Sequence, residues 1–279
     1  MNSKNTTTSP ILVLGTTGKT GRRVAQRLRK KGIPVRIGSR SATPAFDWEN
    51  QATWADVLKN IKAAYITFYP DLAVSGAPQA IHAFCQLAVK SGIEHLVLLS
   101  GRGEEEAQRC ENIVKSAGTA WTILRSSWFS QNFSEGFIRD FVLAGHIALP
   151  AGAVREPFVD VEDIADVAVA ALTESGHAGE LYELTGPRLL TFSDAANEIG
   201  KATGQPVQYT QIPQQVFIKT LTEKNVPAEA IGLLDYLFTT VLDGRNEQLT
   251  DGVHRALGRQ PRDFSAYAQK TAANAAWQK

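Results

Sequence analysis

The sequence predicts an α/β protein built on a Rossmann-type, doubly wound parallel sheet. The first observation is an apolar run at residues 11–14 that leads directly into a glycine-rich turn and then into helical spacing. The second is a series of further short apolar runs, separated by segments with helical periodicity, which is typical of a parallel sheet. The third is the position of the glycine-rich turn at the start of the chain, where such folds begin.

The turn after the first predicted strand contains three equally spaced glycines, Gly15, Gly18 and Gly21. Glycines at this spacing allow a tight turn, the approach of a bulky anion and close packing of helix on strand. The amides and the dipole at the start of the helix would then face the pyrophosphate of a dinucleotide. The predicted phosphate-binding residues are Gly15, Thr16, Thr17, Gly18, Lys19, Thr20 and Gly21. The spacing is not that of a P-loop, and an ordinary glycine loop is the alternative.

The second predicted strand ends next to Ser39 and Arg40, in a basic region: residues 1–46 contain ten Lys or Arg and no acid. An acidic residue at this position accepts the ribose hydroxyls of NAD, whereas an arginine binds the 2′-phosphate of NADP. We therefore predict that Ser39 and Arg40 bind NADP(H), with NAD(H) as the alternative. Asp47 and Trp48 follow closely, and they either lie beside the adenine or anchor their own loop.

Three further strands are predicted at residues 63–68, 95–100 and 121–124. Ligands of open parallel sheets bind outside the carboxyl ends of the strands, so the loops that follow should border the cofactor. The residues predicted at these loops are Thr67, Phe68, Tyr69, Ser100 and Gly101. Tyr69 and Ser100 are also the predicted hydrogen-bond donors for catalysis.

The second half of the chain begins with an aromatic-rich stretch at residues 126–141. Such a stretch is either core or the wall of a substrate site, and we assign Trp128 and Asn132 to substrate binding. Asn132 joins Tyr69 and Ser100 as a predicted catalytic residue. A strand near 181–185 is predicted to return to the sheet.

The length and composition allow one large domain or one domain with a smaller appendage, because 279 residues with 43% hydrophobic content can bury a sizeable core. We predict a dinucleotide-binding domain at residues 1–150 and a smaller substrate-covering region at 151–279. A net charge of +1 gives no reason to expect a nucleic-acid or membrane partner. No apolar run approaches the ~20 residues of a membrane span, and residues 1–10 are too polar for a signal peptide. We expect a small-molecule substrate and a monomer or homodimer.

The two cysteines, Cys85 and Cys110, cannot form a disulfide framework and suit a reducing compartment, so we expect a cytoplasmic protein. His82 lies three residues before Cys85, but no second pair of metal ligands is near them in the sequence. Core packing explains these side chains better, and no metal site is predicted.

Four segments carry a family resemblance: LVLGTTGKTG from Leu12, TILRSSWFSQNF from Thr122, FVDVEDIADVAVAAL from Phe158, and LYELTGP followed by TFSDAANEIG from Leu181. Together they resemble the NmrA-like group of atypical short-chain dehydrogenases over nearly the whole chain. The run SRSATPAFDW is similar to the branch of ergot-alkaloid dehydrogenases, and quinone oxidoreductases are the other near neighbours. The resemblance implies a Rossmann domain that binds NADP(H) or NAD(H), with a small C-terminal domain closing over a substrate cleft.

The sequence departs from ordinary short-chain dehydrogenases, in which a lysine follows the catalytic tyrosine four residues later. None of the six tyrosines has a lysine at that offset, and residues 100–103 lack the lysine that benzylic ether reductases of the group carry there. One hypothesis is an NADPH-dependent reductase of an acceptor that is already electrophilic, such as a quinone or an iminium. Proximity and orientation can supply roughly 7–11 kcal/mol of that barrier. The other hypothesis is a sensor that binds the dinucleotide without turnover.

Overall fold

The computed structural model describes residues 9–278, so Lys4 and most of the polar segment at 1–10 lie outside the described part. A six-stranded sheet has the order β2-β1-β3-β4-β5-β7, and the pairs β1–β2, β1–β3 and β3–β4 are parallel. Its strands are β1 Ile11–Leu14, β2 Val35–Gly38, β3 Ala63–Ile66, β4 His95–Gly101, β5 Ala120–Ser126 and β7 Glu180–Leu184. A second, two-stranded sheet pairs β6 His146–Leu149 with β8 Gln208–Gln211 in parallel.

Helices connect the strands in the alternation that the sequence predicts, and the predicted fold class is confirmed. The helices are α1 Lys19–Lys30, α2 Trp54–Leu58, α3 Ala77–Lys90, α4 Glu105–Lys115, α5 Asn132–Glu135, α6 Ile138–Leu143, α7 Val161–Thr173, α8 Phe192–Thr203, α9 Gln214–Glu223, α10 Ala228–Tyr236, α11 Gly252–Leu257 and α12 Phe264–Ala273. A 3₁₀ turn at Gln51–Thr53 precedes α2, and a π-helical turn at Leu237–Val241 continues α10.

The described residues form two compact units that share the chain in alternating pieces. The first unit contains 9–100, 105–125 and 164–182, and the second contains 101–104, 126–163 and 183–278. The sequence analysis places a single boundary at residue 150. In the structure, the chain passes from one unit to the other several times. The physical reason is that α7 and most of β7 pack with the first unit although they come late in the chain.

The first unit has its core around the sheet. Every residue of β1 and β3 is buried, as expected for strands covered on both faces. Helix α1 buries a stripe at helical spacing, with Val24 and Leu28 among its members. Burying one such side chain completely stabilises the fold by roughly 1.5–3 kcal/mol. An ion pair of 2.7 Å between Arg27 and Asp166 joins α1 to the late helix α7.

The second unit has an aromatic core. Phe133, Phe158 and Phe192 are almost completely buried and pack mainly edge to face. Helix α8 begins with a capping box, in which the Thr191 hydroxyl accepts the Asp194 amide and the Asp194 carboxylate accepts the Thr191 amide. These contacts position the aromatic stretch that begins at Ser126.

Candidate functional site

The glycine turn after β1 has no room for side chains. Gly15 has a φ of +64°, and a Cβ atom on it would lie 2.2 Å from Thr67 Oγ1. A Cβ on Gly21 would lie 2.3 Å from the Gly15 carbonyl oxygen, and the Gly18 amide donates to that same oxygen at 2.9 Å. The backbone is thus held in one tight turn, in which a side chain on Gly15 or Gly21 would clash.

Helix α1 presents its N-terminus at this turn. Its N-cap is Gly18, which has no side chain to accept a first-turn amide, and the first turn contains no acid. The first amides of a helix have no acceptor within the helix, and the dipole adds about +0.5 charge there. Thr17 and Gly18 are exposed. A site of this kind fits a phosphate group.

The end of β3 packs against the same turn. The Thr67 hydroxyl donates to the Leu14 carbonyl at 3.3 Å, and the Trp48 indole N–H donates to the Thr67 carbonyl at 3.0 Å. The rings of Trp48 and Phe68 have centroids 4.8 Å apart. The structure therefore brings together Gly15, Trp48, Thr67 and Phe68, which the sequence analysis assigns to one site.

The end of β2 lies on the other side of β1, where the Gly15 amide donates to the Gly38 carbonyl at 3.1 Å. Arg40 follows two residues later; it is exposed and has no hydrogen-bond or ion-pair partner in the part of the chain that is described. The Ser39 hydroxyl lies 3.4 Å from that of Ser41. This strand end therefore offers a hydroxyl group and an exposed guanidinium, and the guanidinium donors have no partner among the described residues.

Asp47 anchors its loop. Its carboxylate accepts the Glu49 amide at 3.1 Å, and its carbonyl accepts the Trp54 indole N–H at 2.6 Å. Trp48 anchors the same loop to β3 through Thr67. These contacts are those of the loop-anchoring alternative, and the assignment of both residues to the adenine stays a prediction.

The two predicted hydrogen-bond donors of the first unit, Tyr69 and Ser100, differ in their exposure to solvent. Tyr69 is 76% exposed. Ser100 is buried, and its hydroxyl donates to Glu111 Oε1 at 2.7 Å. Glu111 also accepts both Nε and Nη2 of Arg125, at 2.8 and 2.5 Å. The hydroxyl proton of Ser100 is thus engaged with Glu111, and it can reach an acceptor only if that bond breaks.

The remaining predicted residues belong to the second unit. Trp128 packs edge-on against Phe192 and Phe238, with ring centroids 5.7 and 5.3 Å away. Asn132 is the first residue of α5, and its amide donates to the Phe129 carbonyl at 3.0 Å. Gly101 is the last residue of β4. The roles of these three residues stay predictions.

The sequence analysis missed two buried polar residues of the second unit, Arg102 and Glu156. Arg102 Nη2 and both carboxyl oxygens of Glu156 are buried without a hydrogen-bond partner among residues 9–278. The available signal is Glu156 itself, a lone acid directly before the apolar run Pro157, Phe158, Val159. Native proteins pair nearly all buried polar atoms, so unpaired ones point to a missing partner.

The model of the NmrA-like family matches residues 105–268, more than half of the chain. The chain belongs to the NmrA-like family. An uncharacterized oxidoreductase of Bacillus subtilis is 30% identical over 95% of this chain and 96% of its own. Agroclavine dehydrogenase of Claviceps fusiformis is 29% identical over 92% of this chain and 95% of its own.

Solved structures show the same fold for this NmrA-like protein. An NADPH-dependent quinone oxidoreductase from Escherichia coli, complexed with NADPH, has a TM-score of 0.73 at 20% identity and covers 93% of this chain and 99% of its own. NmrA, a negative transcriptional regulator in complex with NAD, has a TM-score of 0.70 at 15% identity, with 96% of both chains covered. None of the helices described has the length and apolar character that crossing a bilayer requires.

Proposed function

We propose that this NmrA-like protein is an NADP(H)-dependent oxidoreductase that transfers hydride to an electrophilic small molecule, such as a quinone or an iminium. The observation that carries the proposal is the three-glycine turn at the start of α1, together with the exposed guanidinium of Arg40 beyond β2, which has no partner among residues 9–278. The relatives support it, because they include agroclavine dehydrogenases and an NAD(P)H azoreductase of Xenophilus azovorans.

The residues of the first unit have separate roles in this proposal. Gly15, Gly18 and Gly21 let the pyrophosphate approach the backbone, and the first-turn amides of α1 donate to it. Ser39 and Arg40 bind the 2′-phosphate. Once bound, the dinucleotide supplies the hydride, so the protein has to position the acceptor rather than perform the redox chemistry.

The acceptor contacts are proposed from fewer observations. Tyr69 is exposed at the end of β3 and can donate a hydrogen bond, whereas the Ser100 proton is engaged with Glu111. Trp128 and Asn132 keep their proposed role in orienting the acceptor. We place the protein in the cytoplasm, since both cysteines are buried free thiols.

A second candidate function is a regulatory sensor that binds the dinucleotide without turnover. The observation that favours it is the missing tyrosine–lysine relay, combined with the engaged hydroxyl of Ser100. The fold likeness to the NAD-bound regulator NmrA is compatible with it. NAD(H) is the alternative cofactor under both functions.

The proposal is tested by calorimetric titration of NADPH and NADH into the protein and three variants. Gly21→Ala should abolish binding of both dinucleotides, because its methyl group meets the Gly15 carbonyl. Gly232→Ala is the matched control, since a Cβ on this exposed helical glycine meets nothing within 4 Å. Arg40→Ala should weaken NADPH binding about tenfold and leave NADH binding unchanged.

NADPH consumption with a panel of quinones and cyclic imines separates the two functions. Oxidation by any member supports the reductase, whereas tight dinucleotide binding without oxidation across the panel supports the sensor. If Gly21→Ala binds NADPH as well as Gly232→Ala does, the cofactor placement is wrong.

A further inference from the structure

Strand β8 forms an open edge of the small sheet in the second unit. That sheet contains only β6 and β8, and the amides of Gln208 and Ile212 donate to carbonyls at the two ends of β6, at 3.0 and 3.2 Å. In a parallel ladder, every second residue of a strand directs its amide and its carbonyl to the same neighbour. Tyr209 and Gln211 therefore direct theirs away from β6.

The main-chain groups of Tyr209 and Gln211 are unpaired. In the part of the chain that is described, no hydrogen bond joins their amides or carbonyls to another residue. The side chains of Gln208, Thr210 and Gln211 are exposed, so solvent reaches this strand. The Tyr209 side chain is fixed, because its hydroxyl donates to two main-chain carbonyls at 3.3 Å. The edge thus presents two donors and two acceptors with which an added strand can pair.

The sequence around β8 lacks the charges that usually protect such an edge. Residues 202–218 contain no Lys, Arg, Asp or Glu, although 20% of the whole chain is charged. Edge strands are normally protected by a charged side chain or a proline within the strand. Pro206 and Pro213 lie outside β8, and Val216, shortly after it, is 48% exposed. This uncharged edge is therefore suited to pairing with another strand.

We propose that β8 pairs antiparallel with β8 of a second copy of this chain, which forms a dimer with a continuous four-stranded sheet. A twofold axis at Thr210 places Tyr209 opposite Gln211 of the second copy. Four hydrogen bonds then use every outward amide and carbonyl of both residues in both copies. Thr210 faces Thr210 of the second copy, a favourable cross-strand pair, and no like charges meet.

The alternation of the backbone excludes the neighbouring registers. A shift by one residue would place Tyr209 opposite Thr210, whose amide faces β6. A twofold axis at Gln211 would place Tyr209 opposite Pro213, which has no amide hydrogen. An axis at Tyr209 would need the amide of Val207, which packs against α8. The strand therefore complements itself in one register, and this favours a second copy over an unrelated peptide.

The test is oxidative cross-linking of the full chain carrying Thr210→Cys, with copper phenanthroline as the oxidant. The Cα atoms of a non-hydrogen-bonded antiparallel pair lie about 4.5 Å apart, which a disulfide can span. Gln208→Cys is the matched control, because Gln208 is exposed on the same face of β8 but would lie about 13 Å from its counterpart. The native cysteines, Cys85 and Cys110, are buried and should not react.

We expect Thr210→Cys to form a disulfide-linked dimer at least about tenfold faster than Gln208→Cys, on non-reducing denaturing gels. Equal rates for the two variants would overturn the inference. Both variants leave the dinucleotide turn of the first unit unchanged. The result is therefore independent of NADPH binding and oxidation, which test the proposed function.

Sedimentation equilibrium measures the dimer without a cross-link. A ladder of this length is short, so we expect a weak wild-type dimer with a dissociation constant of about 0.1 mM. Thr210→Lys should raise this constant at least about tenfold, because two lysines would meet at the axis. Thr222→Lys is the control, since Thr222 is an exposed threonine near the end of α9, and it should dimerise as wild type does. A wild-type chain that stays monomeric up to about 0.5 mM would contradict the proposal, even if an unrelated peptide bound the edge.

Discussion

Two buried glutamates distinguish the two units. Glu111 in the first unit and Glu156 in the second are each 1% exposed. Glu111 accepts hydrogen bonds from Ser100 and Arg125, and Lys115 lies 3.8 Å away. The two carboxyl oxygens of Glu156 have no hydrogen-bond partner among the described residues. The two side chains are therefore equally buried, but only the carboxylate of Glu111 has hydrogen-bond partners among the described residues.

The difference separates a buried acid with several polar partners from one whose carboxyl oxygens have no hydrogen-bond partner among the described residues. The partners of Glu111 offset the desolvation of a buried charge, and they engage the Ser100 hydroxyl in the same network. Burial instead raises the pKa of Glu156 to about 8, which favours its protonated form near pH 7. The exposed fraction of a buried carboxyl group therefore does not distinguish these two acids, whereas the hydrogen bonds of its two oxygens do. Three predictions sharpen or break this comparison.

The largest effect is expected for Glu111→Gln. The neutral amide cannot form the ion pair with Arg125, whose side chain is only 20% exposed, so the free energy of unfolding should fall by about 3 kcal/mol. Urea denaturation measures it. Glu105→Gln is the control on the same helix, since Glu105 is an exposed partner of Arg109, and it should change the value by less than about 0.5 kcal/mol. Equal effects of the two substitutions would break the comparison.

Glu156→Gln should have a pH-dependent effect. Between the ordinary pKa of 4.5 and about 8, the unfolded chain releases the proton that folded Glu156 keeps, so wild-type stability falls as pH rises. The slope is about 1.4 kcal/mol per pH unit and levels off above 8. The variant lacks this loss and should gain about 2 kcal/mol on wild type between about pH 6 and about pH 8. A stability difference that stays constant across this range would contradict the raised pKa.

The smallest effect is expected for Ser100→Ala, which removes one hydrogen bond to Glu111 while Arg125 remains. We expect a loss of about 1 kcal/mol in the free energy of unfolding. Ser130→Ala is the control, because the Ser130 hydroxyl is buried without a partner in the described part of the chain. It should be neutral or slightly stabilising. A larger loss for Ser130→Ala than for Ser100→Ala would show that these hydrogen-bond assignments are wrong.

Sequence reasoning predicted the features that depend on local patterns. The apolar run of β1, the glycine turn and the place of Arg40 just beyond β2 follow from neighbouring residues and from the geometry of parallel sheets. These features need no knowledge of distant contacts.

The features it missed depend on distant contacts. The apolar run at residues 157–159 forms no strand, and isolated bridges there join Glu156 to Leu190 and Phe129 to Val159. Strand β6 is not predicted, because it is stabilised by pairing with β8 about 60 residues later. The backbone of Glu156 is held by hydrogen bonds to Leu190, which lies far along the chain. No periodicity within a single segment reveals such neighbours.

The late return of α7 and β7 to the first unit determines when that unit can be completed during translation. Strand β7 lies beside β5, so a nascent chain that ends before residue 180 carries β5 as an open sheet edge. The ion pair between Arg27 of α1 and Asp166 also cannot form until Asp166 has been synthesised. Ribosome-bound chains of that length should therefore need chaperone protection, and a gene split at residue 150 should yield an amino-terminal fragment that aggregates.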